Sequence, residues 1–294
     1  MNYGKRSNSK TFRGGGQGNL SSLSGIGAGT EPFRAAGKRT IKRGFTLAEV
    51  LITLGIIGVV AAMTMPTLIQ KNNEKATVTK LKKIMNVMNS AITMSINENG
   101  PIDSWNLTAT VWDEEAGTNT DESKEGQDEL TKKYLLPYLK YTSYCLYSDT
   151  TCKKYTRYSL DGTQFSAYTD RIILADGSTI VGFNLATPSC SASYGSSKPL
   201  QNVCGEMFVD VNGASNPPNK TGEDLFLFYI TKYGVIPMGT EMEYNNYFSF
   251  ENSCNLSKVN RLNGYGCAAW VIYNENMDYL HCNDLSWNGK KKCK

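Results

Sequence analysis

The chain has a single histidine, His281, in 294 residues. A Ser-His-Asp or Cys-His nucleophile would have to use it. It stands between Leu280 and Cys282, a setting for a structural or surface side chain. There is no G-x-S-x-G, no Walker-type phosphate loop and no H-E-x-x-H. No C-x-x-C pair occurs, so one histidine and scattered cysteines assemble no zinc site. Strand and helix patterns do not alternate in the βαβ manner, which argues against a parallel sheet, and no internal repeat is present. These absences set the expectation of a non-enzyme without a resident cofactor. Positive charge is also missing from most of the chain. Residues 1–44 hold nine Lys/Arg and one acidic residue, whereas the remainder holds 22 basic and 26 acidic residues. No basic face is left to suggest a nucleic-acid partner.

Cysteine is absent from the first 144 residues and then appears eight times, as Cys145, Cys152, Cys190, Cys204, Cys254, Cys267, Cys282 and Cys293. An even count at loop-like spacing points to disulfides and an oxidising compartment. Eight cysteines allow about 105 pairings; joining sequential neighbours, 145–152, 190–204, 254–267 and 282–293, is the simplest.

Residues 1–44 are rich in Gly, Ser, Lys and Arg and read as a removable, flexible segment. Composition then changes abruptly. From Val50 to Ile69 twenty residues carry no charge, a span of ~30 Å as a helix and about one bilayer core. Beyond Gln70 the pattern becomes amphipathic. Leu81, Ile84, Met85, Met88, Ala91, Ile92 and Ile96 recur at helical spacing, with Lys80, Lys82, Lys83 and Asn86 on the other face. Asn99-Gly100-Pro101 stops the pattern. One helix over 45–98 is therefore expected, and its apolar stripe needs a partner.

The start of this helix resembles the processing segment of type IV pilins and type II secretion pseudopilins. Lys42-Arg43-Gly44 is followed by Phe45-Thr46-Leu47-Ala48-Glu49, and Pro66 falls at the twenty-second position after the cut. The resemblance implies that a membrane aspartic peptidase cleaves after Gly44 on the cytoplasmic side and methylates the amine of Phe45. It also implies that Glu49 neutralises that amine on a neighbouring subunit during assembly. A carboxylate on a membrane-embedded face needs such a partner. Pro66 should kink or open the helix, and Gly58 and Ala62 form a small-xxx-small pair that lets helices approach. The leader is longer than is usual for the family. Orientation rests on the cleavage motif and the cysteines. Lysine and arginine nearly balance across the span, with Arg34, Lys38, Arg39, Lys42 and Arg43 before it and Lys71, Lys75, Lys80, Lys82 and Lys83 after it.

In the remainder, 103–129 reads as a polar loop and 129–139 as a short helix ending near Pro137. Asp161-Gly162 and Asp176-Gly177 lie between apolar runs, the hairpin pattern. Residues 207–211, 225–230 and 268–273 read as further strands. Between 207–211 and 225–230, Asp210, Asn212, Asn216, Asn219, Glu223 and Asp224 supply oxygens suited to Ca²⁺. Ala214 and Thr221 occupy positions where an EF-hand would place ligands, and the competing reading is an Asx-Gly turn with prolines that needs no ion. The resemblance bears on this too, since some major pseudopilins bind calcium in a C-terminal loop.

Together these readings give an α+β protein. It comprises a leader (1–44), a membrane and assembly half of the helix (45–69), an amphipathic half (70–98) packed on an antiparallel sheet, and a disulfide-stapled domain (99–294). The resemblance implies a structural subunit of a pilus or pseudopilus in the bacterial cytoplasmic membrane. Its partners would be like subunits, prepilin peptidase, an inner-membrane assembly platform and lipid, with the globular part outside the cytoplasm. The alternative is a surface-anchored binding or adhesion module using the same signal.

Overall fold

The computed structural model describes residues 44–294 except 150, 151, 153, 168, 245 and 246. The leader therefore lies, apart from Gly44, outside the described residues. Two units are distinguished, the first ending at Gly55 and the second running Ile56–Lys294.

Helix α1 spans Leu47–Asn99, close to the expected bounds. It ends where Gly100 takes φ +80° and Pro101 cannot continue the ladder. The helix runs through Pro66 without a break, so the expected opening is not seen. Proline removes one backbone bond there, and regular helix on both sides tolerates that loss. In its second half α1 buries Val78, Leu81, Ile84, Met88, Ala91, Ile92 and Ser95, the stripe that the periodicity predicts.

A two-residue hairpin, β1 (Trp112–Asp113) with β2 (Thr118–Asn119), precedes helix α2 (Asp121–Tyr134). The expectation of a loop through 129 is thus corrected. Thr120 caps α2, its hydroxyl accepting from Ser123 N at 3.3 Å, and Asp121 and Glu122 sit in the positive first turn while Lys132 and Lys133 sit in the last. The helix is hard to see because its buried face includes Gln127, Asp128 and Thr131. Gln127 accepts from Leu185 N at 2.8 Å, and Asp128 accepts from Tyr147 N at 2.7 Å and Ser148 N at 2.8 Å. Polar burial is satisfied by hydrogen bonds rather than by hydrophobicity.

Eight further strands follow: β3 (Tyr141–Cys145), β4 (Tyr155–Tyr158), β5 (Gln164–Ala167), β6 (Arg171–Leu174), β7 (Thr179–Asn184), β8 (Val203–Asp210), β9 (Leu225–Thr231) and β10 (Gly234–Pro237). Six form one antiparallel sheet in the order β10-β9-β8-β7-β6-β3, and β4 pairs with β5 apart from it. Both Asp-Gly sites turn hairpins as expected. Gly162 and Gly177 take φ +89° and +87°, and the preceding Asp161 and Asp176 carboxylates accept from Thr163 N and Ser178 N.

Alternation along β9 divides the core. Phe226, Phe228 and Ile230 join Met207, Val209 and Ile180 under α1, while Leu225, Leu227 and Tyr229 join Phe208, Val181 and Tyr155 on the other face. Full burial of one such α1 side chain is worth about 1.5–3 kcal/mol. The open edge at β10 is met by α1 itself. Asn89 Oδ1 accepts from Val235 N at 2.8 Å and its Nδ2 donates to Val235 O at 3.1 Å, which blocks further strand pairing there. The lysines on the face opposite the apolar stripe also reach the domain. Lys83 pairs with Asp176 at 2.8 Å, Lys82 pairs with Glu275, and Lys80 Nζ donates to Val211 O at 3.4 Å.

The chain closes with α3 (Phe250–Ser253) and α4 (Cys267–Asn274). The strand expected over 268–273 is therefore a helix. Residues Cys267–Ile272 are all buried, and a short apolar run buried on every side has no period to separate strand from helix. Packing decides it: Ala269 N donates to Met238 O at 2.9 Å at the end of β10. The disulfides join sequential neighbours, Cys145–Cys152, Cys190–Cys204, Cys254–Cys267 and Cys282–Cys293. Each constrains a short loop and contributes on the order of 2–4 kcal/mol.

Ile92→Ala in the full-length, detergent-purified chain is expected to cost about 2–5 kcal/mol in denaturant unfolding of the globular part. Val59→Ala, in the exposed half of the same helix, should leave that transition in place.

Candidate functional site

The membrane half of α1 is bare. Phe45, Leu47, Leu51, Ile52, Met63 and their apolar neighbours through Ile69 are exposed, and the 18-residue apolar window of α1 has no residue covered by protein. Such a surface requires lipid or other helices around it. Adding a Cβ at Gly55 or Gly58 would meet nothing within 4 Å, so the thin strip of the small-xxx-small pair is unpartnered in the single chain.

Glu49 is engaged at the helix start. Thr46 N and Thr46 Oγ1 each donate to Glu49 Oε2 at 2.8 Å, and Glu49 N donates back to Thr46 Oγ1 at 3.2 Å. This is a capping box, which satisfies helix donors that otherwise lack partners. The pattern T-x-x-E before an apolar run announces it in the sequence, where the reading of Glu49 concentrated on the amine of Phe45. The carboxylate thus has a local partner in the unassembled chain, one residue from Phe45.

The calcium candidates lie in the β8–β9 loop. Asp210 Oδ1 accepts from Asn212 N at 3.3 Å and Gly213 N at 2.9 Å, and its Oδ2 accepts from Tyr155 OH at 2.9 Å. Asp224 accepts from Asn219 N at 2.9 Å and Lys220 N at 2.5 Å. The Asn219 amide lies 3.0 Å from both Asn216 O and Asp210 Oδ2 and bonds both through its nitrogen. Glu223 turns to Lys220 at 2.6 Å. Asn212 donates to Pro217 O at 3.3 Å, and its buried Oδ1 has no partner among the described residues. Five of the six candidates thus gather, while every carboxylate oxygen of Asp210 and Asp224 already takes a protein donor. The arrangement works as a self-closed Asx-Gly loop, and Asp210, Asp224, Asn212 and Asn219 are the groups that could hold a cation. Thr221, where an EF-hand would need a carboxylate, donates to Asn263 O at 2.7 Å instead. A separate group, Cys145, Asp149 and Cys152, comes together, but its two sulfurs are bonded to each other and are not free to ligate.

His281 Nε2 lies 2.8 Å from Glu74 Oε1. It ties the C-terminal segment to α1, a structural placement consistent with its expected role.

A helix starting at a cleavage-type sequence, apolar where bare and sheet-packed thereafter, is the build of a membrane-anchored, type IV pilin-like or pseudopilin-like chain. The prokaryotic N-terminal methylation motif matches residues 39–65, which span Gly44, Phe45 and Glu49. That motif implies processing by prepilin peptidase and assembly into pilin-like filaments. Residues 67–274, most of the remaining chain, match a family of unknown function (DUF6613), and the protein belongs to it. No curated protein and no solved structure matches the chain.

Burial, reinforced by the nearby Asp224 charge, pushes the Asp210 carboxyl up to about 7. Burial likewise pushes Asp170 to about 7 and Glu243 to about 8. A carboxyl with a raised folded value holds its proton more tightly folded than unfolded. Its contribution is therefore present below the unfolded value and is lost as pH rises through the folded one. The domain should lose thermal stability between about pH 4 and about pH 8, and Asp210→Asn should flatten part of that slope. If the loop takes Ca²⁺, the ion should restore melting temperature at the alkaline end, where both carboxylates are charged. Calorimetry giving no Ca²⁺ heat there would leave these groups as loop closures alone.

Proposed function

We propose that the protein is a minor or specialised structural subunit of a type IV pilus or type II secretion-type pseudopilus, cut after Gly44 and polymerised through α1. One observation carries this reading most directly. The uncovered apolar half of α1 begins, at a methylation motif, with an acidic cap adjacent to the residue that cleavage would make N-terminal. In the assembled state the Phe45 amine of a neighbouring subunit would draw Glu49 from its bond to Thr46, exchanging a local cap for an intersubunit ion pair. The small residues Gly58 and Ala62 would let the bare helices close on one another. The four disulfides support a domain on the oxidising side of the membrane, away from the cytoplasmic peptidase. In this reading the protein performs no chemistry of its own, and the processing residues belong to the peptidase.

A second reading, a tethered binding module, draws support from a polar cavity in the domain. The two differ at Glu49, because a tether does not need it.

Intact-mass and N-terminal peptide spectrometry of the membrane-extracted native protein should show a chain starting at Phe45 with one added methyl. Glu49→Ala should be inserted and cut yet missing from sheared filaments or pseudopili. Normal incorporation of that variant would favour the tether.

A further inference from the structure

The polar cavity, of about 190 Å³, lies beside Phe208 where β7 meets β8. It is produced by an irregularity in the ladder. Val181 pairs with Phe208, yet the next pairing is Asn184 with Glu206, so β7 carries one residue more than β8 and bulges. Gly182 takes φ +64° within the bulge. A Cβ on Gly205 would collide with Asn184 O, so glycine is required for this approach. Bulges re-aim side chains beside functional sites. Here the bulge sets Asn184 and Glu206 opposite one another, and residues directly opposite share a face of the sheet.

The polar groups around the cavity are short of partners. Asn184 Oδ1 is buried and unpaired among the described residues. Among the described residues the Glu206 carboxylate accepts no hydrogen bond, although burial pushes its carboxyl up against the pull of the Arg157 guanidinium. The side chains of Asn119 and Tyr147, which also line the cavity, likewise form no hydrogen bond among the described residues. A buried oxygen such as Asn184 Oδ1 is costly unless something bonds it, and the half-buried groups beside it offer further donors and acceptors to an occupant. The wall is held firmly. The Arg157 guanidinium lies 4.1 Å from the Phe208 ring centre and donates to Tyr265 OH at 3.3 Å.

Charge and size narrow the occupant. Arg157 opposes a cation, and Glu206 with the nearby Asp170 opposes an anion. What remains is a neutral molecule that both donates and accepts hydrogen bonds. The volume is below that of pockets for drug-sized ligands. We propose that this cavity binds one saccharide ring, as the terminal unit of a glycan, with Glu206 and Asn184 accepting its hydroxyls and the Arg157–Phe208 stack forming its wall. The protein would then carry its binding site on the β7–β8 face, independently of how α1 assembles.

The test uses the full-length chain in a polyoxyethylene detergent, since alkyl glycosides would compete. Glucose, galactose, mannose, N-acetylglucosamine and N-acetylgalactosamine are screened by saturation-transfer NMR, with methylammonium and acetate as charged probes. At least one neutral sugar should bind. Glu206→Gln and Asn119→Ala should each weaken it about tenfold, with the thermal transition unmoved, while Asp121→Asn on the exposed start of α2 should bind as wild type. No binding by any sugar, binding only by a charged probe, or undiminished binding by both folded variants would overturn the proposal. None of these readouts requires filaments, so failure here is distinct from failure of the assembly reading.

Discussion

The packing of one stripe of α1 against one face of the sheet is the constraint on which the domain depends. Leu81, Ile84, Met88 and Ile92 are at most 1% exposed, and they meet the inward side chains of β7, β8 and β9. The same continuous helix has no such stripe before residue 70. Its apolar side chains there point in every direction and none is buried by the described residues. A single element is thereby committed to two media. Where the residues are apolar all round, only lipid or other helices can cover them. Where they are apolar on one side, the sheet suffices.

Polar contacts fix the register of that packing. Asn89 grips both backbone groups of Val235, and Lys83 and Lys82 reach Asp176 and Glu275. Exposed ion pairs add little energy individually, but the Asn89 contact serves two purposes. It orients the helix and occupies a sheet edge that would otherwise invite another strand. Closing the edge removes a route of association by strand pairing.

The connections between strands are held by other means. Long connections between β7 and β8, between β8 and β9, and after β10 are closed by disulfides and by carboxylates that accept backbone N–H groups, as Asp210, Asp224 and Glu243 do. Burying a carboxylate is costly even when it is bonded, and the raised values at Asp210 and Glu243 reflect that cost. Extensive loop closure around a bulged β7–β8 ladder is also what leaves room for a cavity lined from several segments.

The division between what the sequence determined and what tertiary structure decided follows the range of the interactions involved. The anchor, the amphipathic half of α1, both Asp-Gly hairpins and β8 and β9 were legible because each depends on residues near in sequence: an uncharged run, a 3.6-residue period, a turn that needs positive φ. The simplest cysteine pairing held because each bridge closes a short loop. The Thr46–Glu49 cap was equally local, but the reading of Glu49 passed over it in favour of the amine of Phe45. Helix α2 was obscured because its buried face bonds Leu185, Tyr147 and Ser148 through polar side chains, which no hydrophobic pattern reports. The run 268–273 became α4 because burial on all sides erased its period and Met238 supplied a partner. The cavity was invisible for a related reason. Asn119, Arg157, Asn184 and Glu206 lie on four strands far apart in the chain; the β7 bulge and the close approach allowed by Gly205 set Asn184 against Glu206, and tertiary packing brings the other two to the same place.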